Sequence, residues 1–385
     1  MEKFVTSDFR LGIMAGGQLG KMLAIDASRW DVKTYVLDSG SHCPASTVCT
    51  SLIEGDCANF DDVYRFGQQV DMVTFEIENV NVDALRKLKA EGKPVFPDPD
   101  VLALIQDKGK QKLFYRDHQI PSPDFTLVEN AEQIRQRLQE GKIEIPFVQK
   151  ARTEGYDGRG VAAIRSREDL PKLLDCPSVI EQLVDIDREL AVIVARNGKG
   201  QMAAYPVVEM AFNPEANLVE MLLSPARIEE GLQQQATELA LQVAEKSGIQ
   251  GLLAVELFLD RSGKLWVNES APRPHNSGHH TIESAVTSQY EQHLRAVLDL
   301  PLGNTELKCP AVMINLLGEP GHEGPARYEG LAESLDIPGV KVHIYGKRDT
   351  RPFRKMGHIT VVAPTLEEAR RRAAAVKEKV KVCSW

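Results

Sequence analysis

Residues 11–25, LGIMAGGQLGKMLAI, run an apolar strand pattern through a glycine turn straight into a helix pattern. The helical stretch QLGKMLAIDASRW places Leu19, Met22, Leu23 and Ile25 as its expected apolar face. VKTYVLD (32–38) and DMVTFEI (71–77) supply further strands. Such β-α-β alternation closes into a parallel sheet with crossover helices, so the chain should open on a Rossmann-like α/β unit. That unit is expected to end near VFPDPDVL, where prolines punctuate the chain. The glycine turn also poses a question about phosphate. Aligned as G-x-G-x-x-G it carries Ala15 at the first glycine and keeps Gly17 and Gly20, with Asp38 near the spacing of a ribose-binding acid. On this segment alone a dinucleotide, a mononucleotide, a sugar phosphate and no phosphate at all are each open.

With 385 residues the chain has room for two or three cores. Its net charge of −9 argues against non-specific binding to nucleic acid or anionic membrane, which needs a basic surface. No stretch approaches the roughly 20 apolar residues of a membrane span, and no signal-peptide pattern opens the sequence, so a cytoplasmic protein is expected. The six cysteines include no C-x-x-C pair, as in a reduced protein without a zinc site.

From about 108 the texture changes. IPFVQKAR (145–152), SVIEQLV (178–184) and RELAVIVA (188–195) read as strands, and LQQQATELALQVAEKSG (232–248) as an amphipathic helix ending at Gly248. AVELFLD and KLWVNES flank the turn DRSG as a hairpin. After Pro301 further strands are expected near 311–316, 341–345 and 358–363. The last helix opens at TLEE, where Thr365 and Glu368 have capping-box spacing.

Four constellations carry chemistry. If DRSG closes the hairpin, Leu259 faces Lys264 and Glu256 faces Val267, so Ala254, Glu256, Phe258, Leu265, Val267 and Glu269 share one face. Glu256 and Glu269 then lie diagonally, about 7–8 Å apart at the backbone. Two carboxylates on an otherwise apolar face need a cation between them, and with Asn268 nearby the oxygen-only donor set suits Mg²⁺. A solvated face is the bland alternative. KARTEGYDGRG packs three glycines within six positions beside Lys150 and Arg159; it could wrap phosphate oxygens or be an exposed loop, and it is not the P-loop pattern. NESAPRPHNSGHHT holds Arg273 and His275 in a proline-stiffened segment directly after Glu269. Finally, IYGKRDTRPFRKMGH collects Lys347, Arg348, Arg351, Arg354 and Lys355 in an acidic protein, as a local anion site or a solvated face.

In this order the segments GGQLGKM, TFEIENV, QDKGKQK, KARTEGYDGRG, EQLVDIDREL, the hairpin glutamates, NESAPRPHNSGHHT and RPFRKMGH resemble the ATP-grasp superfamily. Within it they resemble the N5-carboxyaminoimidazole ribonucleotide synthetase family of purine biosynthesis, from about residue 11 to 363. The resemblance implies an ATP-grasp fold, α/β and α+β: an N-terminal Rossmann-like pre-ATP-grasp domain (1–107), an ATP-grasp domain (108–304, its mobile lid within 121–184) and a small C-terminal domain (305–385). It implies ATP and Mg²⁺, or Mn²⁺, as cofactors. Bicarbonate and 5-aminoimidazole ribonucleotide are the implied substrates, and a homodimer the implied assembly, with no nucleic-acid or membrane partner.

By resemblance, Lys108 and Lys150 contact the α- and β-phosphates, and Gly155, Tyr156, Asp157, Gly158, Arg159, Gly160 and Val161 form the closing loop. Glu181, Gln182, Leu183 and Val184 are the hinge against adenine, Glu189 takes the ribose hydroxyls, and Phe212 and Asn268 border the nucleotide. Glu256 and Glu269 hold the metal, while Arg273 stabilises carboxyphosphate. Gly17, Gln18, Leu19, Glu76, Asn79, Arg273, His275 and Asn276 seat the ribonucleotide, whose 5′-phosphate meets Lys347 and Arg354. Tyr156 and Asp157 approach its amine. On this reading the glycine turn serves the ribonucleotide, not a dinucleotide.

The chain departs from the family pattern at Ala15 and Phe353, both usually glycine, at Lys108 and Arg159, which exchange lysine and arginine, and at Phe212, usually histidine. The nearest alternative is a sister ligase such as formate-dependent glycinamide ribonucleotide transformylase, or a biotin carboxylase. The transformylase shares P-R-P-H but has a serine-rich phosphate loop and an acid after the histidine, where this chain has Asn276. An NAD-dependent dehydrogenase leaves the paired glutamates unexplained. A regulatory protein that binds ATP without turnover is the third alternative.

Overall fold

The computed structural model describes residues 8–153, 160–213 and 218–385. The first unit alternates β1 (Arg10–Met14), α1 (Gln18–Ser28), β2 (Lys33–Asp38), β3 (Ser51–Glu54), α2 (Phe60–Gln68), β4 (Met72–Phe75) and α3 (Val82–Ala90). All pairings in its sheet are parallel, in the order β3-β2-β1-β4. Helices cover both faces, which is why Leu11, Ile13, Met14, Val36, Val73 and Phe75 are all fully buried. Ile25 is a correction: it is 45% exposed, and Ala24 and Ala27 complete the buried arc of α1 with Leu19, Met22 and Leu23.

Two helices, α4 (Pro99–Ile105) and α5 (Lys108–Asp117), lead out of this unit. A small antiparallel sheet follows, built from β5 (Phe125–Val128), α6 (Ala131–Gln139), β6 (Phe147–Ala151), β7 (Val161–Ile164) and β8 (Ser178–Gln182) in the order β5-β8-β6-β7. It has its own core of Val128, Ile134, Phe147, Ile164 and Ile180.

The main sheet uses β9 (Ile186–Arg196), β10 (Met202–Ala204), β11 (Val208–Asn213) and β12 (Leu218–Ser224), then α7 (Glu230–Ser247), β13 (Gly251–Asp260) and β14 (Leu265–Ala271). After α8 (Thr281–Ser284) and α9 (Gln289–Val297) come β15 (Ala311–Leu317), β16 (Gly324–Glu329), α10 (Leu331–Leu335), β17 (Val340–Ile344), β18 (Asp349–Thr350), β19 (Lys355–Val362), α11 (Leu366–Lys379) and β20 (Lys381–Ser384). The order β14-β13-β9-β11-β12-β15-β19-β17, with β10 also on β9, makes one sheet of nine strands. The C-terminal segment thus continues the central sheet through β12–β15. α7 lays Ala236, Ala240 and Val243 against Leu190, Val192, Leu253 and Val255. It ends, as the sequence predicts, on Gly248 at φ 66°. Thr365 caps α11 by accepting the Glu368 N–H.

The hairpin differs from its predicted register. Leu259 pairs with Leu265 and Leu257 with Val267; a bulge then places Glu256 directly opposite Glu269. Leu265 and Val267 belong to the core face with Leu257 and Leu259, not to the glutamate face. The bulge is the physical cause. One extra residue on β14 reverses the side-chain alternation and returns Glu269 to the side of Glu256.

Candidate active site

The site is assembled on one face of the central sheet. Glu256 and Phe258 lie on β13 beside Ala191 and Glu189 of β9, and Glu269 completes the face from β14. Helix α5 lies against the edge strand β14, with Tyr115 in the core beside Leu257 and Val267. Asp107 caps it, accepting the Gly109 N–H at 2.8 Å, and pairs with Arg152 at 2.6 Å. Lys108, Gln111, Lys112 and Tyr115 then follow at helical spacing. Gln111 Oε1 accepts the Ser270 N–H at 2.9 Å and the Tyr115 hydroxyl at 2.7 Å. These bonds pin β14 next to Glu269.

Lys108 pairs with Glu269. Burial works against the charge on Lys108, and Glu269 more than offsets it, so its affinity for the proton rises. Lys108, ahead of the opposing effect of burial, holds Glu269 below the usual carboxylate range. Glu256 goes the other way, pushed up by burial and then by Glu269 and Glu189. His275 Nε2 lies 3.5 Å from Glu256 Oε1. Burial also pushes Glu189 up to about 7, with Glu269 adding and Lys150 opposing. Lys108 and Lys150 answer part of the charge of these carboxylates, and a cation between Glu256 and Glu269 would answer the rest. The donors are all hard oxygens. No group of three or more His, Cys, Asp or Glu suited to a metal occurs among the described residues. Two carboxylates completed by nucleotide phosphates fit Mg²⁺ better than an all-protein cage.

Lys150, on β6, reaches across to the central sheet: its Nζ is 2.7 Å from Asn268 Oδ1 and 3.0 Å from Glu181 Oε2. Glu181, at the end of β8, is buried, and its other oxygen lies 3.3 Å from Lys112 Nζ. Gln182, Leu183 and Val184 continue into the crossing from the small sheet to β9, Gln182 exposed and the others half-buried. Of the expected closing loop, Gly155, Tyr156, Asp157, Gly158 and Arg159 lie outside the described residues, as does the side chain of Phe212. Gly160 is at φ 72°, and Val161 pairs with Lys150 at the base of the loop.

Arg273 meets the first unit here. Its Nε and Nη2 both reach Glu78 Oε1, at 2.8 and 2.7 Å, and Nη1 donates to the Pro274 carbonyl at 3.0 Å. Glu78 is in turn fixed by Gln106, whose side chain donates to the carbonyls of Glu78 and Val80. Asn79 is exposed. Asn276 and Asn315 exchange side-chain amide hydrogen bonds at 2.9 and 3.0 Å, joining this segment to β15.

The glycine turn is filled by carboxylates rather than open to phosphate. The Gly16 N–H donates to Asp38 at 2.8 Å, and the N–H groups of Gly17 and Gly20 go to the two oxygens of buried Glu76. Those are the donors a pyrophosphate would need at the start of α1, so a dinucleotide has no seat there. Leu19 packs into the core, and Gln18 opens α1 half-buried. Ala15 sits at φ 69° and Phe353 at φ 62°, so both positions where the family uses glycine keep the left-handed backbone. A Cβ on Gly17 would meet Glu76 Oε1 at 2.4 Å. Gly17→Ala should therefore expel that carboxylate and lower unfolding stability by about 2–3 kcal/mol in a urea titration, as expected for stranding buried donors. A loss under about 0.5 kcal/mol would mean the cap contributes nothing.

The basic tail meets this turn. Lys21 Nζ donates to the carbonyls of Ile344 and Tyr345, at 3.0 and 3.2 Å, just before Lys347. Lys347 Nζ donates to the Lys355 carbonyl at 2.6 Å, and Arg354 Nη1 to the Asp349 carbonyl at 2.6 Å. Sequence reasoning missed Glu78, Gln111, Lys112 and Tyr115. A polar stripe at i, i+3, i+4 and i+7 from Lys108 was the available signal for three of them.

Comparison with known proteins agrees with this architecture. The ATP-grasp domain family matches residues 113–290, the ribonucleotide synthetase pre-ATP-grasp domain family residues 9–106, and the phosphoribosylaminoimidazole carboxylase C-terminal domain family residues 311–372. The fold is thus that of an ATP-grasp ligase. The N5-carboxyaminoimidazole ribonucleotide synthase of Bacillus subtilis is 36% identical over 93% of this chain and 92% of its own length. The N5-carboxyaminoimidazole ribonucleotide synthetase of Thermotoga maritima superposes with a TM-score of 0.90 at 42% identity, covering 98% of this chain and 100% of that one. The Aspergillus clavatus N5-carboxyaminoimidazole synthase, solved with ADP and 5-aminoimidazole ribonucleotide, gives a TM-score of 0.88 at 30% identity, over 97% and 99% of the two chains. The chain belongs to the N5-carboxyaminoimidazole ribonucleotide synthetase family.

Proposed function

We propose that this protein is an ATP-dependent carbon–nitrogen ligase that joins bicarbonate to the exocyclic amine of 5-aminoimidazole ribonucleotide. The products are N5-carboxyaminoimidazole ribonucleotide, ADP and phosphate. The observation that carries this reading is the sheet face on which Glu256 and Glu269 stand opposite one another, flanked by Lys108 and Lys150. That is phosphoryl-transfer machinery without a protein nucleophile.

Lys108, Lys150 and residues 155–161 hold the phosphates, residues 181–184 and Phe212 border adenine, and Glu189 takes the ribose hydroxyls. Glu256 and Glu269, with Asn268 alongside, would hold Mg²⁺, which would supply charge neutralisation for the transferring phosphoryl group. A bicarbonate oxygen attacks the γ-phosphorus, the bond to the β-bridging oxygen breaks, and ADP leaves. Arg273, with His275 beside it, takes the oxygens of the resulting carboxyphosphate. The amine then forms the C–N bond to the carboxyl carbon, phosphate departs and the amine gives up a proton near Tyr156 and Asp157. Gln18, Asn79 and Asn276 border the ribonucleotide, Gly17, Leu19 and Glu76 shape the turn behind them, and Lys347 and Arg354 take its 5′-phosphate. The contact of Lys21 with the carbonyls of Ile344 and Tyr345 supports that arrangement. The units 1–107, 108–304 and 305–385 contribute turn, ATP cleft and basic tail respectively, in a homodimer.

ADP release measured with and without each substrate tests the reading. Release should require ATP, bicarbonate and aminoimidazole ribonucleotide together. Release driven by formate and glycinamide ribonucleotide would overturn it.

A further inference from the structure

Lys112 lies 2% exposed on the inward side of α5, and no step above uses it. A lysine at that depth is costly unless its charge is answered. Two groups answer it: Ser122 Oγ at 2.6 Å and Glu181 Oε1 at 3.3 Å. The remaining oxygen of Glu181 is 3.0 Å from Lys150 Nζ, and Lys150 continues to Asn268 at 2.7 Å. One buried carboxylate is therefore shared by two ammonium groups, one sealed in the interior and one at the cleft. Burial lowers Lys112 to about 8, against the pull of Glu181. Burial opposes the charge on Glu181, but Lys150 and Lys112 hold it below the usual range.

We infer that Lys112 is a positioning residue for ATP: by occupying one oxygen of Glu181 it keeps Glu181 from sequestering Lys150, and so leaves the Lys150 ammonium to the phosphates. Three charges of which two are positive give the cluster a net charge of +1. Without the Lys112 charge, Glu181 and Lys150 close into a neutral pair in a low-dielectric setting, where such a pair is tight. The phosphates then meet a cluster of zero net charge. The chain of contacts runs through α5, β8, β6 and β14, so Lys112 acts on the nucleotide without touching it. This inference rests on Lys150 being a phosphate ligand.

A double-mutant cycle tests it, read as the dissociation constant of ATP with magnesium in calorimetric titrations. Lys112→Met should weaken ATP about tenfold or more when Glu181 is present, and less than about twofold in a Glu181→Gln background. A lysine that touches phosphate itself, or that only supports the fold, loses the same factor in both backgrounds. Equal factors overturn the inference. If Lys112→Met does not fold, Lys112→Gln, which keeps a donor for Ser122, takes its place in the cycle. Lys150→Met is the control. Undiminished ATP binding by that variant would overturn the reading of Lys150 itself, and this inference with it.

Discussion

Glu269→Gln is expected to cut turnover about a thousandfold or more while leaving the circular dichroism spectrum unchanged. The amide keeps the shape of the side chain and removes its charge. Glu269 stands opposite Glu256 at the mouth of the cleft, with its side chain 38% exposed, so little of the fold depends on it. The proposed cation site loses half of its paired negative charge. Lys108, deprived of its partner, would turn toward the carboxylate of Glu256 and compete there with a bound cation. Steady-state ADP formation checks this. Turnover within about threefold of the unsubstituted protein would remove the carboxylate pair from the mechanism, since one lost electrostatic contact in a transition state is normally felt far more strongly.

Arg273→Lys is expected to lower kcat about a hundredfold with little change in the KM for ATP. Arginine can hold Glu78 through Nε and Nη2 and still present donors to a carboxyphosphate oxygen, because its guanidinium is a rigid fork. A lysine has one ammonium, which Glu78 captures. The charge is retained and the geometry is lost, so the defect should fall on the chemical step. Initial rates at saturating bicarbonate and ribonucleotide, with ATP varied, separate the two parameters. If the KM for ATP rises in proportion to the loss in kcat, Arg273 is a nucleotide contact instead.

Much of this site was legible because its parts are local in sequence. Strand–turn–helix alternation specified the parallel first unit, and the hairpin flanking DRSG placed both glutamates on neighbouring strands. The predicted shared face of Glu256 and Glu269 was right although the register was not. A turn displaced by one residue and an unforeseen bulge compensated each other in the side-chain alternation. A bulge leaves no mark in a pattern of apolar and polar residues, so the pairing of Leu265 and Val267 could not be read correctly. The buried stripe of α5 was overlooked for a related reason. Lysine, glutamine and tyrosine at helical spacing describe a wet face as readily as one pinned against a strand.

The sequence by itself determined which segments are strands and helices, where Gly248 and Thr365 end and begin helices, and which residue types could handle phosphate. These follow from periodicity and capping, which act within a few residues of chain. Tertiary structure alone decided what each charged group faces. It gave the N–H groups of the glycine turn to Glu76, set Glu78 against Arg273, divided Glu181 between Lys112 and Lys150, and brought Lys21 under the basic tail. Electrostatic and hydrogen-bond energies depend on distance and burial between groups far apart in the chain, and no local pattern encodes either quantity.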